Sequence, residues 1–409
     1  MDLTNVVADV VAVLLGAHVV LMGCFHVLFR RRRGGSALCH GEILKRGAPR
    51  APAPPGLVSI LKPLAGRDDD LDDNLESFAH LRQVRYEILF GVASPSDPAL
   101  PAARAFVARH PEIDARIVFT DPNAATNPKI AQLIGLAEAA RGDVFVTSDS
   151  NVRVGPDYLD RVVAPLGDPS CGLVTSVFAG TGERTLGAGL ENLQLSAIIM
   201  PCVVLSTFFV PITIGKSMAM RRVDLDRLGG FAPFGDVLAE DAVIGRRVAD
   251  DGMRIATSFY VIENRNVAGS LAKTFDRHAR WAKMRRAIVP GFFALEPLFA
   301  PVNAALLGVV LAPSRITIAL LGLSVIVQTL TSLAAAWTIR GAPLPWRYAP
   351  LELVRTFVML GCWASGWVSR TIVWRGHAFT IGKLSTITPM PPVGDHEARQ
   401  DAVDLESAA

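Results

Sequence analysis

Several features that would declare a function at once are missing from this 409-residue sequence. No GxGxxG follows its first apolar strand and no GxxxxGK[S/T] loop occurs, so a classical dinucleotide fold and a P-loop machine both lack their phosphate cradle. The five cysteines, at 24, 39, 171, 202 and 362, form no CxxC or other metal spacing. They read as reduced, mostly buried thiols, consistent with a cytoplasmic catalytic domain. Net charge is only +3 and no basic stripe is interleaved with aromatics, which excludes nucleic acid as a partner. At 50% hydrophobic and 19% charged, the chain is too apolar for an ordinary soluble enzyme and too polar to lie wholly in a membrane. A soluble domain with a membrane-embedded part fits that balance.

Charge is absent from particular stretches. Val10 to Phe29 carries no Asp, Glu, Lys or Arg, and about 20 helical residues cross a ~30 Å hydrocarbon core. Arg30 to Arg33 follow this run. A signal peptide would carry its basic cluster in front and a small-residue cleavage site behind, so residues 1–34 read as an uncleaved anchor whose arginines stay cytoplasmic. Ile316 to Ile339 is a second uncharged run. Phe292 to Ala312 contains Glu296 and interrupting prolines, and Pro350 to Trp374 contains Glu352 and Arg355, so these spans are weaker. Counting all four puts both chain ends on the non-cytoplasmic side, with a membrane region at 291–375 and a polar tail at 376–409.

Between the runs, a Pro/Gly/Ala linker ends the segment 35–56, and residues 57–290 have room for a full α/β core. LVSILKP (57–63), YEILFGV (86–92), ARIVF (115–119) and DVFVTSD (143–149) read as buried strands. The helical patterns at 71–83, after Ala99 and at 127–140 alternate with them. That alternation predicts a mostly parallel sheet with helices on both faces. Such sheets bind ligands beyond the C-terminal ends of their strands, here near Ser94 and Asp149.

Three constellations can carry chemistry there. Asp149 is either a strand-end carboxylate closing a turn or a hard oxygen ligand for Mg²⁺ or Mn²⁺ on a diphosphate. Glu240 and Asp241 either cap the helix they begin or supply a general base. In RHARWAKMRRAIVPG, Arg277, Arg280 and Trp281 are neighbours at helical spacing, suited to phosphate and sugar or to anionic head groups. The apolar segment at 190–215 is broken by Pro201 and Pro211. As a membrane span it would separate Asp149 from Asp241, so a shared site requires it to lie in the interface, as a doorway for a lipid.

The ordered set SILKPLAG, LDDNLESF, YEILFGV with SDPA, DARIVF, NPKI, SDSNVRV, GKSMAMRR, LGGF, LAEDAVIGRRVADDG and RHARW resembles the ceramide glucosyltransferase family, from about residue 57 to 290. That family is related to bacterial hopanoid-linked sugar transferases. The resemblance implies a GT-A type domain with a UDP-sugar donor, a divalent metal and a membrane-lipid acceptor such as ceramide. It implies that Asp149 serves nucleotide-sugar and metal binding, that Asp241 is the base, and that Arg277, Arg280 and Trp281 lie near diphosphate and acceptor. Lys129 of NPKI matches a basic position close to the nucleotide. Two departures stand out. Ser94 occupies the place of the first signature aspartate, with Asp97 retained further along, and Met200 stands where the family has a histidine. Alternatives sharing the fold are transfer to a hopanoid from UDP-N-acetylglucosamine or UDP-glucuronate, and a non-catalytic membrane scaffold that senses UDP-sugars.

Overall fold

Strand β1 (Leu38–Cys39), β2 (Val58–Leu64), β3 (Tyr86–Val92), β4 (Ala115–Phe119), β5 (Val144–Ser148), β6 (Val152–Arg153), β7 (Cys171–Thr181), β8 (Ser217–Arg221) and β9 (Arg254–Arg265) form one sheet in this computed structural model. It describes residues 2–33, 37–39, 56–82, 84–209, 211–374 and 377–390. The strand order is β1-β9-β7-β8-β5-β2-β3-β4, with β6 beside β9. Most paired residues lie in parallel ladders, as the alternating pattern predicts, and β8 enters antiparallel between β5 and β7.

The period-2 rule is visible in the core. Ile60, Ile88 and Val146 point into one hydrophobic cluster, and Leu61, Leu89 and Phe145 into the cluster on the opposite face. Antiparallel β8 brings Ser217 opposite Ser148, which sets Gly215 and Lys216 beside Asp149 at the C-terminal edge of β5. The helix Pro128–Ala139 begins on Asn127. Its Oδ1 accepts from the amides of Lys129 and Ile130 at 2.9 and 3.3 Å, with Pro128 in the first turn, where a missing N–H costs nothing.

Among the described residues three helices are long and apolar enough to cross a membrane, or four if one bent pair counts as a span. One is the segment Leu186–Ser206, which is 78% buried inside the protein. The segment expected to be interfacial over 190–215 is mostly buried helix up to Ser206, and among its described residues Cys202, Phe208, Phe209 and Ile212 are exposed. Pro201 does not break it, because a π-turn at Leu195–Ile199 absorbs the residue that cannot donate.

The other two, Leu3–Arg32 and Arg315–Arg340, run parallel, since His18 pairs with Thr331 at 2.9 Å and His26 with Thr338 at 3.0 Å. Both end at the α/β domain, where Arg340 meets Glu183 at 2.7 Å. The pair Pro290–Phe299 and Pro301–Leu311 is bent by 82°. Helix Leu351–Val368, expected as a fourth span, instead packs along the basic helix Leu271–Ile288, with Arg286 Nη1 donating to the Gly366 carbonyl at 2.6 Å. Its charges form a buried network: Arg355 pairs with Glu352 at 2.6 Å and donates to Gln194 at 2.7 Å.

After helix Leu351–Val368 the chain forms a second sheet of β10 (Thr371–Trp374), β11 (His377–Ile381) and β12 (Ile387–Pro389), which bonds to the α/β domain at 236–239. The last described residues thus lie on the domain's side of the two parallel helices. Strands β11 and β12 lie within the segment 376–409 read from the sequence as a polar tail. Residues 391–409 of that tail and 40–55 of the linker lie outside the described residues, while Leu38 of the linker is buried in β1.

Candidate active site

Parallel β2, β3 and β5 end on one edge, and four sequence-predicted residues, Lys129, Asp149, Glu240 and Asp241, converge there. Lys129 Nζ lies 2.9 Å from Asp149 Oδ1 and 2.8 Å from Glu240 Oε1, and donates to the Gly215 carbonyl at 3.3 Å. The Gly215 amide donates to Asp241 Oδ2 at 2.7 Å, while Asp241 Oδ1 accepts from the Ala242 amide at 2.8 Å. Gly215 is fixed by crowding, because a Cβ there would stand 2.9 Å from Lys129 Nζ and 3.3 Å from Asp241. Thr213 Oγ1 donates to the Asp241 carbonyl at 2.7 Å, tying the same loop to the start of helix Glu240–Asp250. Asn127 closes the set by donating from its amide nitrogen to the Val237 carbonyl at 2.6 Å.

Two lysines that sequence reasoning left aside complete the cluster. Lys216 Nζ reaches Asp149 Oδ2 at 3.0 Å and Asn151 Oδ1 at 2.9 Å. Lys62, fully buried in β2, donates to the Asp149 carbonyl at 3.0 Å and to Ser148 Oγ at 3.2 Å, and sits 3.9 Å over the Phe78 ring. The signal for Lys62 was present, since a lysine inside an otherwise apolar central strand must have partners.

Electrostatics separates the two aspartates. Burial alone would raise the Asp149 carboxyl, but the ammonium groups of Lys129 and then Lys216 hold it below the usual carboxylate range. Asp241 is pushed up to about 6 by burial and then by Glu240, against the opposing pull of Lys129 and two backbone amides. Burial pulls Lys62 down to about 7. One carboxylate therefore stays ionised as a partner for cations, and its neighbour is poised to exchange a proton near neutrality.

The remaining predicted residues lie differently. Ser94 follows β3 and its hydroxyl is 2.8 Å from that of Ser96. Asp97 Oδ1 accepts from the amides of Gly66 and Ala99 at 2.9 and 2.8 Å, so this oxygen joins two loops. Arg277 turns to Glu191 at 3.0 Å and Asn266 at 3.1 Å. Burial would raise Glu191, but His278 and Arg277 draw it down to about 2. Trp281 packs against the main core and meets the His278 ring edge-on at 4.9 Å. Arg280, half-buried, lies on the same helix. Met200 is buried, with its sulfur 3.2 Å from the Phe178 amide nitrogen.

The donor set admits a divalent cation in one way. Among the described residues no group of three or more His, Cys, Asp or Glu side chains converges. Mg²⁺ and its relatives, however, often use one or two carboxylates and complete their shell with substrate phosphates and water. Asp149 is such a carboxylate, partly open at the sheet edge and held ionised. A cavity of about 410 Å³ lies at the opposite edge, between the start of β5 and the end of β8. Arg221 in its wall is spent on the carbonyls of Leu166, Asp168, Pro169 and Cys171, which makes that cavity a structural crevice.

The exposed apolar tip is adjacent to the cluster in sequence and in space. Phe208, Phe209 and Ile212 are 42%, 73% and 44% exposed, and Thr213 and Gly215 already touch Asp241. The lysine-carboxylate cluster and the exposed apolar side chains thus lie on either side of one loop, 212–215, which touches Asp241.

Among known proteins, ceramide glucosyltransferase 1 of Caenorhabditis elegans is 30% identical over 258 residues, covering 63% of this chain and 55% of that protein. Ceramide glucosyltransferase 3 of the same organism is 30% identical over 244 residues, covering 59% and 53% respectively. The chain spans about half the length of these curated relatives. A solved mannosyltransferase from Pyrobaculum calidifontis, in complex with GDP-Man and Mn²⁺, shares 18% identity over 88% of this chain and 98% of its own, with a TM-score of 0.49. The model of the family described as Glycosyl transferase family 21 matches residues 14–387, from the first long helix through the lysine-carboxylate cluster to the C-terminal sheet. The chain belongs to glycosyl transferase family 21.

Proposed function

We propose that this protein is an inverting lipid glycosyltransferase. It moves glucose from UDP-glucose to the primary hydroxyl of ceramide or a similar membrane lipid. The observation that carries this reading is the junction at Asp241, where a sheet-edge cluster of lysines and carboxylates meets an exposed apolar rim. The UDP-sugar lies over the ends of β2, β3 and β5, with Lys129 and Lys216 facing its diphosphate and Ser94 available to hydrogen-bond uracil or ribose. Asp149, whose oxygens pair with Lys129 and Lys216, would hold Mg²⁺ or Mn²⁺ by exchanging one of these ammonium partners, and the metal would supply positive charge to the departing diphosphate. Asp241 takes the proton from the acceptor hydroxyl as that oxygen attacks the anomeric carbon from the face opposite the nucleotide. Arg280 and Trp281 bound the diphosphate and acceptor side. Arg277 acts by fixing Glu191 and so the pitch of the basic helix.

The catalytic domain is cytoplasmic at a bacterial inner membrane in this reading. Its support is Arg30 to Arg33 at the domain end of the first long helix. A hopanoid acceptor, or UDP-N-acetylglucosamine or UDP-glucuronate as donor, would use the same atoms. UDP release from purified protein in lipid, measured against a panel of UDP-sugars and lipid acceptors, tests the reaction. Release that requires both substrates supports it. Binding of UDP-sugar with no release on any acceptor would favour a sensing scaffold, the reading for which the uncharged Ser94 speaks.

A pH dependence follows from the raised Asp241. The base must be deprotonated, and a carboxyl lifted to about 6 releases its proton only above that pH. Log kcat/KM should therefore rise with unit slope up to about pH 6 and then level. A profile already flat at pH 5 would remove Asp241 from this role.

A further inference from the structure

The strained turn in the C-terminal sheet touches the site from a part of the chain that the proposed chemistry does not use. Between β11 and β12, Leu384 and Ser385 both adopt left-handed backbone, at φ 53° and 60°, and the described residues contain only one other non-glycine with positive φ, Asp70. Strain of this kind persists only where surrounding structure imposes it. Here the turn is pinned to the segment that leads into the site. The Ser385 carbonyl accepts from the Leu238 amide at 2.9 Å, its hydroxyl oxygen accepts from the Ala239 amide at 3.1 Å, and the Ile387 amide donates to the Asp236 carbonyl at 2.7 Å.

Ala239 is the N-cap of helix Glu240–Asp250, yet its side chain can accept no hydrogen bond. The position just before Glu240 and Asp241 is therefore held from outside. The same sheet reaches the other motif: Met284 and Ala287 of the basic helix pack against the cluster of Leu238, Phe379, Ile381 and Ile387. One small sheet thus clamps the base segment and the Arg-Trp helix together.

We infer that Ser385 is a positioning residue for Asp241, its hydroxyl fixing the backbone at 238–239 so that the carboxylate stays aligned on the acceptor oxygen. This rests on the transferase reading, and two substitutions and two readouts keep the two separable. Ser385→Ala removes only the hydroxyl and keeps the Cβ already present at φ 60°, whereas Ser385→Gly removes the whole side chain and relieves the left-handed backbone.

In the full chain in detergent, both variants should exchange the backbone hydrogens of 236–241 faster than the parent protein. Both should lose kcat on the order of tenfold to a hundredfold, as small misplacements of reacting groups do, with the donor KM within about twofold. Unchanged exchange in both variants would overturn the clamp. Faster exchange with undiminished kcat would overturn positioning and leave the transferase reading intact. A loss of activity in only one of the two variants, both of which lack the hydroxyl, or a loss matching that of folded protein, would reduce Ser385 to a structural part of the turn.

Discussion

Replacing Asp241 with Asn should lower transfer by about 10²–10⁴-fold, the range contributed by a positioned general base. Affinity for UDP should remain within a few-fold. The substitution is nearly isosteric, and an amide oxygen can still accept from the Gly215 amide, so the loop that carries Lys216 keeps its place. What disappears is the lone pair that takes the acceptor's proton. Losing one negative charge beside Lys129 leaves the cluster more cationic, which does not oppose a diphosphate. Calorimetry with UDP and steady-state transfer on the same preparation separate the two effects. Parallel loss of both would mean that Asp241 binds the donor instead of activating the acceptor.

The second large effect belongs to Lys129→Met. Lys129 neutralises Asp149 and Glu240 at once, and those interactions hold it above the usual lysine range despite its burial. Breaking a buried pair by removing one partner costs about 3–5 kcal/mol, because a carboxylate is left without its counter-charge. Lys216 would still cover one oxygen of Asp149, while Glu240 would lose its cation. The fold should melt markedly lower at pH 8, and UDP binding should collapse. The sign of the pH dependence is specific. With its main cation gone, burial would raise the Asp149 carboxyl, so the folded state would take up protons as pH falls. The deficit relative to the parent should accordingly shrink toward pH 5.5. An unchanged melting midpoint at both pH values would show that the cluster is solvated and that Lys129 does not organise it.

Much of the site was readable because the parallel half of the sheet follows rules local in sequence. Continuous apolar strands alternating with amphipathic helices placed β2 to β5 within a residue or two, and the NP pair announced the helix that carries Lys129. The parts that escaped depend on distant pairing. Nothing near Lys216 says that its strand enters antiparallel beside Asp149, and the Glu191 partner of Arg277 lies 86 residues away. Helix Leu351–Val368 looked like a weak span because Glu352 and Arg355 are legible only as charges, whereas each satisfies the other inside the protein. The two left-handed positions, Leu384 and Ser385, are neither glycine nor asparagine, so no residue type marks them. Pro201 misled for the opposite reason: a turn-breaking residue was accommodated by a π-turn that no composition rule anticipates.

The alignment of base, donor and bilayer rim makes a stereochemical statement that no binding experiment can replace. Direct attack by an Asp241-activated hydroxyl must invert the anomeric centre. Purified protein in lipid, given UDP-glucose and ceramide, should yield a glucosyl lipid whose mass equals ceramide plus one hexose less water. Proton NMR of that product should show the large anomeric coupling of a β-glucoside at the primary hydroxyl. An α-linked product, or sugar on a different class of acceptor atom, would contradict the single-displacement geometry built around Asp241.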